Sequence, residues 1–119
     1  MKPILCLDFD GVLHSYVSGW QGAGRVSDAA VPGAAYFLEE AVEAFEVHIF
    51  SARSNQEGGI GAMKEWLALE FGHVLAEKLH FPTEKPPALV TLDDRAIQFM
   101  GTWPAISELL TFKPWNKLS

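Results

Sequence analysis

Acidic and hydroxyl side chains follow three of the segments that the sequence predicts as strands. They are Asp8 and Asp10 after the first strand, Ser51 after the second, and Asp93 and Asp94 after the fourth. The carboxyl ends of parallel strands meet at one edge of an open sheet, where ligands bind, so we expect these groups to gather there. Four carboxylates in one place require a cation, and oxygen ligands suit Mg²⁺. With a hydroxyl and a lysine, such a site fits phosphoryl transfer.

The elements that position these groups alternate between strand and helix patterns. Short apolar or β-rich runs predict strands at residues 4–9, 46–50, 78–81, 88–92 and near 96–99, of which 88–92 is expected to be buried. Apolar residues at helical spacing predict helices at 34–45 and 60–71, the second ending at Gly72, and a last helix after Pro104. Residues 11–32 are rich in glycine and small polar residues, which predicts an irregular flap or short hairpin.

This alternation predicts one α/β domain over residues 1–119. We expect a Rossmann-like, open and mainly parallel sheet that is flanked by helices. The aromatic residues near the end of the chain are expected to pack as core: Phe99, Trp103, Phe112 and Trp115.

The order of the polar residues resembles the motifs of haloacid dehalogenase-like hydrolases. The run Asp8-Phe9-Asp10-Gly11-Val12-Leu13 is similar to their first motif, Asp-x-Asp-Gly-x-Leu or Val. Ser51 resembles the second motif, Lys85 stands eight residues before Asp93 as the third-motif lysine commonly does, and Asp93-Asp94 resembles the fourth. The resemblance spans residues 8–94 and implies the fold of that family. Lys78 is a competing candidate for the third motif.

The resemblance implies a role for each matching residue. Asp8 would be the nucleophile that forms an aspartyl-phosphate, and Asp10 would protonate the leaving oxygen and then activate water. Ser51 would hydrogen-bond the phosphoryl oxygens, and Lys85 would hold Asp8 and the phosphate. Mg²⁺ would be bound by Asp8, the Asp10 carbonyl and Asp93, Asp94 or both. Dehalogenases of the family lack an acid at the Asp10 position, so its presence favours an oxygen leaving group, as in a phosphate ester.

The segments between the motifs are too short for the cap domain that many family members carry. We therefore expect an open site that suits large phosphorylated substrates or promiscuous ester hydrolysis. Five residues are candidate substrate contacts: Gly11, His14 and Trp20 in the flap, and Arg53 and Asn55 after the second motif. The alternatives are that Trp20 packs the flap onto the core and that Arg53 forms a surface ion pair. His48 is expected to be a satisfied core or edge residue, and His73 and His80 show no metal-ligand spacing.

Composition limits the classes of partner. The net charge is −6 and the pI about 5.1, which argues against binding along a nucleic-acid backbone but leaves a nucleic-acid end open as a substrate. The single cysteine, Cys6, excludes an intramolecular disulfide, and no window resembles a signal peptide or a membrane span. We expect a cytoplasmic protein without a membrane partner.

The sequence therefore predicts a Mg²⁺-dependent phosphomonoesterase. A nucleotidase or nucleic-acid-end phosphatase is the alternative within the enzymes. A non-catalytic phosphate-binding or regulatory module on the same fold is the alternative from another class, and a phosphotransferase also stays open. The substrate and the oligomeric state are not determined by the sequence.

Overall fold

The protein is built on a three-stranded parallel sheet, seen in a computed structural model that describes residues 1–117. The strands are β1 (Ile4–Leu7), β2 (Glu46–Ile49) and β3 (Val90–Leu92), in the order β2-β1-β3. The central position of β1 explains its apolar sequence, because its residues are shielded by a strand on each side. The parallel sheet with flanking helices confirms the predicted α/β class.

Four helices accompany the sheet in the part of the chain that the structure describes. They are α1 (Ala34–Ala44), α2 (Gly59–Phe71), α3 (His73–Ala76) and α4 (Ile106–Leu110), with 3-10 turns at Ala52–Asn55 and Trp115–Lys117. The periodic patterns predicted α1 and α2 within one residue at each end, and Gly72 ends α2 as expected. The short helix α3 was not predicted.

The core lies between the sheet, α1 and α2, and it includes side chains from the start of the flap. Its most buried members are Leu7, Phe9, Leu38, Ile49, Met63 and Leu67. Trp66 of α2 packs edge-on against Phe9 and donates its indole N–H to the Asp28 carbonyl at 3.0 Å. The second helix therefore holds both the first strand and the flap.

The flap at 11–32 folds back on itself through one antiparallel bridge, between His14 and Ala30, and contains no regular helix or strand. The Ser15 N–H donates to the Ala29 carbonyl at 2.9 Å and the Val31 N–H donates to the Leu13 carbonyl at 2.8 Å. This pairing confirms the irregular or hairpin-like excursion that its glycine content predicts.

Several expectations for the second half of the chain were wrong. Residues 78–81 contribute one isolated bridge, between His48 and His80, because two backbone bonds are made before the chain turns away. Strand β3 is exposed rather than buried, since it packs mainly on β1 and, unlike the other edge strand β2, makes no extensive contact with a helix. No strand forms near 96–99 in the described chain. The late aromatic residues do not form core: Phe99, Trp103, Phe112 and Trp115 are all exposed.

The helices of residues 1–117 are short, and none of them is long and apolar enough to span a membrane.

Candidate functional site

Three carboxylates gather at the carboxyl edge of the sheet and come from two neighbouring strands. Asp8 follows β1, and Asp93 and Asp94 follow β3, whose Leu92 is paired with Leu7 of β1. One oxygen from each carboxylate lies within 4.8 Å of the others. Strand pairing therefore brings together three of the four carboxylates that the sequence pattern identified.

Gly11 makes room for one of these carboxylates. Its φ of 84° lies in the left-handed region, and a Cβ built there would collide with the carboxylate of Asp94. The Oδ1 atom of Asp94 is buried and receives no hydrogen bond from any described residue. An orphaned carboxylate oxygen is costly inside a protein unless a donor or a cation meets it, so this arrangement fits a bound cation.

The same cluster alters the protonation of Asp8. Burial, together with a hydrogen bond to the Asp94 carboxyl group, raises the pKa of Asp8 to about 8, and the Asp93 charge acts in the same direction. The Phe9 N–H donates to Asp8 Oδ1 at 2.8 Å and opposes this rise. Hard oxygen donors fit Mg²⁺, and a cation would displace the proton that the crowded carboxyl groups retain. Asp8, Asp93 and Asp94 are therefore the residues that can hold it.

Asp10 faces a different environment. Its Oδ2 accepts a hydrogen bond from Arg53 Nε at 2.8 Å, and its Oδ1 accepts one from Arg53 Nη2 at 3.1 Å and lies 2.8 Å from His14 Nδ1. Burial alone would raise the pKa of Asp10, but the bonds from His14 and Arg53 outweigh it and lower that pKa. The Asp10 side chain is thus held as a carboxylate outside the acidic cluster. The binding of a metal by its backbone carbonyl, which the resemblance implies, stays a prediction.

Arg53 is fully buried and joins the site to the flap. Besides the two bonds to Asp10, its Nη1 donates to the carbonyls of Gly22, Ala23 and Arg25 at 2.9–3.0 Å. The ring of Trp20 lies 4.9 Å from the guanidinium carbon and covers it. The alternative expectation for Arg53, an ion pair at the surface, was wrong because its ion pair with Asp10 is buried. Its contact with a substrate stays a prediction. Trp20 is otherwise 48% exposed, so both its role as a substrate contact and its packing of the flap onto the core stay predictions.

His14 is buried and bridges Asp10 to the far side of the flap. The Asp28 N–H donates to His14 Nε2 at 3.0 Å, so Nε2 carries a lone pair and the ring hydrogen resides on Nδ1. That hydrogen is donated to Asp10. His14 therefore orients Asp10, and its contact with a substrate stays a prediction.

Ser51 begins the 3-10 turn that follows β2. Its hydroxyl oxygen accepts from the Arg53 N–H at 3.1 Å, and its own N–H donates to Ser54 Oγ at 3.0 Å. This reciprocal capping fixes the backbone beside the sheet edge. The hydroxyl hydrogen is not used in these bonds, so Ser51 can donate to a phosphoryl oxygen.

The remaining predicted residues are less constrained. Lys85 is exposed, and within residues 1–117 its ammonium group has no hydrogen bond or ion pair; its charge opposes the rise that burial causes in the pKa of Cys6. Asn55 is exposed at the end of the 3-10 turn. The structure thus brings Lys85 near β1 without a direct contact to Asp8.

Two contacts at the site were missed by sequence reasoning. The Trp115 indole N–H donates to the Gly11 carbonyl at 2.7 Å, and Asn116 Nδ2 donates to the Ser15 carbonyl at 3.0 Å. No local pattern marks such long-range bonds. Asp10 and His14 are four positions apart in the sequence, and this spacing allows an acid and a histidine to meet across a tight turn. It was the one sequence signal that could have predicted their pairing.

The chain was compared with models of known protein families, with curated proteins and with solved structures. None of these comparisons gave a match. Any assignment of function therefore depends on the residues and their geometry.

Proposed function

We propose that the protein is a Mg²⁺-dependent phosphatase of the haloacid dehalogenase-like type, acting on phosphate monoesters through Asp8. The observation that carries the proposal is the set of three carboxylates within 4.8 Å at the ends of adjacent parallel strands. Strand ends are where open parallel sheets bind ligands, and oxygen-only ligands suit Mg²⁺. The motif order of the sequence supports the same reading.

The proposed reaction begins at the carboxylate of Asp8. Bound Mg²⁺ would neutralise negative charge on the carboxylates and on the phosphate oxygens. The Asp8 carboxylate attacks phosphorus, the bond to the ester oxygen breaks, and an aspartyl-phosphate forms. The Ser51 hydroxyl donates to a phosphoryl oxygen while Lys85, on a flexible exposed stem, supplies a positive charge. Water then releases inorganic phosphate.

Asp10 is better prepared for the second step than for the first. The bonds from Arg53 and His14 favour its ionised form, which suits removal of a proton from the attacking water. Protonation of a leaving oxygen would require the opposite state. Aryl phosphates, whose leaving groups need little protonation, should therefore react faster than alkyl phosphates.

The surroundings of the site support a large or varied substrate. Helices α2 and α3 fill the segment between β2 and Lys85, and the flap is tied down by Arg53. Asp93 is exposed. One face of Trp20 is occupied by Arg53, so the ring gives no specific support to a nucleotide substrate.

The first test is hydrolysis of an aryl phosphate with Mg²⁺ by wild type, Asp8→Asn and the surface control Glu39→Gln. We expect Asp8→Asn to lose more than about 1,000-fold in rate while Glu39→Gln keeps wild-type activity. Near-normal turnover by a folded Asp8→Asn protein would refute the role of the nucleophile. Added alcohol acceptors that divert the phosphoryl group would identify a phosphotransferase.

An inactive wild type would leave the non-catalytic module as the competing function. Beryllium fluoride mimics a phosphoryl group on a carboxylate and distinguishes the two. Trapping on Asp8, lost in Asp8→Asn, would support an enzyme with a demanding substrate, and absence of trapping would contradict the proposal.

A further inference from the structure

A second group of potential metal ligands lies away from the acidic site. Glu46 and His48 project from the same side of β2, since side chains two apart on a strand share a face. His80 lies beside them on the outer edge of that strand. Ligand atoms of Glu46, His48 and His80 all lie within 4.8 Å of one another.

The backbone fixes the position of His80 against β2. The His80 N–H donates to the Val47 carbonyl at 2.9 Å, and the His80 carbonyl accepts from the Ile49 N–H at 2.8 Å. The imidazole rings of His48 and His80 stack with centroids 4.9 Å apart and an angle of 22° between their planes. Two ligands are thus placed side by side before any ion binds.

The distances between the ligand atoms are unusual for hydrogen bonds. Glu46 Oε1 lies 3.7 Å from His48 Nε2 and 3.6 Å from His80 Nε2, beyond the normal range of about 2.7–3.2 Å. Ligands bonded to a tetrahedral zinc ion at about 2.0–2.1 Å lie about 3.3–3.4 Å apart. The observed spacing is therefore close to that of ligands around an ion.

The hydrogen-bonding state of His48 points the same way. Its side chain is only 14% exposed, yet neither ring nitrogen has a hydrogen-bond partner in residues 1–117. A buried imidazole normally satisfies both nitrogens, and the expectation that His48 would be a satisfied residue was wrong. A metal ion would engage one of these nitrogens.

We propose that Glu46, His48 and His80 form a binding site for a divalent transition-metal ion of the zinc class. Two imidazoles and one carboxylate form a donor set that zinc accepts with a fourth position left open, whereas Mg²⁺ prefers oxygen alone. Two of the three residues, Glu46 and His80, also line a cleft of about 490 Å³ together with Lys2, Glu43 and Glu77. Glu46 begins β2, so this site lies toward the end of the sheet opposite to Asp8.

The test is a titration of the metal-free protein with Zn²⁺ by calorimetry, and with Co²⁺ by visible absorption. Both are run in excess Mg²⁺, so that a site of oxygen ligands alone is offered the ion it prefers. We expect one equivalent to bind, with the strong absorption of low-coordinate Co²⁺. His80→Ala should weaken binding by more than the ~10–100-fold that loss of a partner outside the ligand shell causes.

Matched variants separate this site from other metal-binding groups. His73→Ala removes an exposed histidine that belongs to neither cluster and should leave the affinity unchanged. Asp94→Asn disables the acidic cluster and should also leave it unchanged. If His48→Ala fails to fold because His48 is largely buried, His80→Ala and Glu46→Gln decide the question, since both side chains are substantially exposed.

Two results would overturn the proposal. One is the absence of Zn²⁺ binding to the wild type, and the other is an affinity that falls in Asp94→Asn but stays constant in His80→Ala. Because binding is measured without turnover, the outcome is independent of whether the protein is a phosphatase.

Discussion

The two aspartates of the first motif belong to opposite halves of the candidate site. Asp10 is surrounded by donors, with both oxygens bound by Arg53 and one also facing His14. Asp8 faces Asp93 and Asp94, and a buried oxygen of Asp94 has no donor among residues 1–117. Side chains of the protein compensate the charge of Asp10, whereas the charge of the Asp8, Asp93 and Asp94 cluster requires a cation from solution.

This contrast teaches that neighbouring residues of one motif can carry opposite electrostatic needs. The pKa of Asp10 is lowered by its partners, while the pKa of Asp8 is raised by burial and by Asp94. Two residues apart on the chain, they would be ionised at neutral pH for different reasons. Asp10 is ionised because the Arg53 guanidinium lies beside it, whereas Asp8 requires a bound cation from solution.

Removal of the Arg53 guanidinium should have the largest effect. Arg53→Met leaves Asp10 buried without its ion pair and three flap carbonyls without a donor, so we expect a loss of about 3–5 kcal/mol in the free energy of unfolding. Urea denaturation measures this loss. Arg95→Met is the matched control on an exposed side chain and should change stability by less than about 0.5 kcal/mol. Equal effects would show that Arg53 does not organise the site.

The two aspartates should respond to pH with opposite signs in the metal-free protein. The folded state retains the Asp8 proton up to about pH 8, whereas the unfolded chain releases it near 3.8, so this group lowers stability as pH rises between those values. Asp8→Asn should therefore stabilise the protein at pH 8 by a few kcal/mol and have little effect near pH 4.

Asp10→Asn should do the reverse. The lowered pKa of Asp10 means that its carboxylate contributes stability above pH 3.8, which is lost as pH falls through its folded-state pKa. We expect this variant to be destabilised by about 2 kcal/mol at pH 7 and by less at pH 3. The measurement is the free energy of unfolding of both variants across this pH range. If both free energies changed with pH in the same direction relative to wild type, the opposite roles of Asp8 and Asp10 would be contradicted.

Substitution of Gly11 tests how tightly the backbone packs against the carboxylates of the acidic cluster. Both Gly11 and Gly19 have positive φ values, but only at Gly11 would a Cβ meet another residue, the carboxylate of Asp94. Gly19→Ala should lose about 1–2 kcal/mol from backbone strain alone, and Gly11→Ala about 1–3 kcal/mol more from the collision. Thermal unfolding compares them, and equal losses would mean that Asp94 moves aside freely.

Addition of Mg²⁺ should give the smallest effect. Ten times its dissociation constant would stabilise the folded protein by about 1.4 kcal/mol, a rise of a few degrees in Tm. Asp94→Asn should abolish that rise, whereas Asp28→Asn, which changes a flap carboxylate bound to Ser18, should retain it. A rise that survives in Asp94→Asn would place the ion elsewhere.

The first half of the fold was predictable because its signals are local. Helices α1 and α2 have periodic apolar faces, and β1 and β2 are short runs bounded by turn residues or helix ends. Residues after Leu92 were misread because their apolar residues suggest burial, whereas Phe99 and Trp103 lie exposed. Hydropathy gives the average tendency of a side chain to be buried. Whether Phe99 or Trp103 is buried depends on whether another element packs over it, which hydropathy does not contain.

The candidate site divides in the same way. The gathering of Asp8, Asp93 and Asp94 followed from parallel strands and their shared edge. The use of Arg53 as a partner of Asp10 did not, because an arginine after a strand is equally compatible with a ligand contact or a surface pair. Only the path of the flap, which brings three carbonyls to its guanidinium, decides between these roles.

The bond from Trp115 to Gly11 has a consequence for how the chain matures during synthesis. The two residues are 104 positions apart, and Gly11 lies directly against Asp94. At roughly 5–20 residues per second, a ribosome needs on the order of ten seconds to add the tryptophan after the glycine. During that interval the Gly11 carbonyl has no hydrogen bond from Trp115. We expect the nascent chain to acquire its finished site only after Trp115 has left the ribosome.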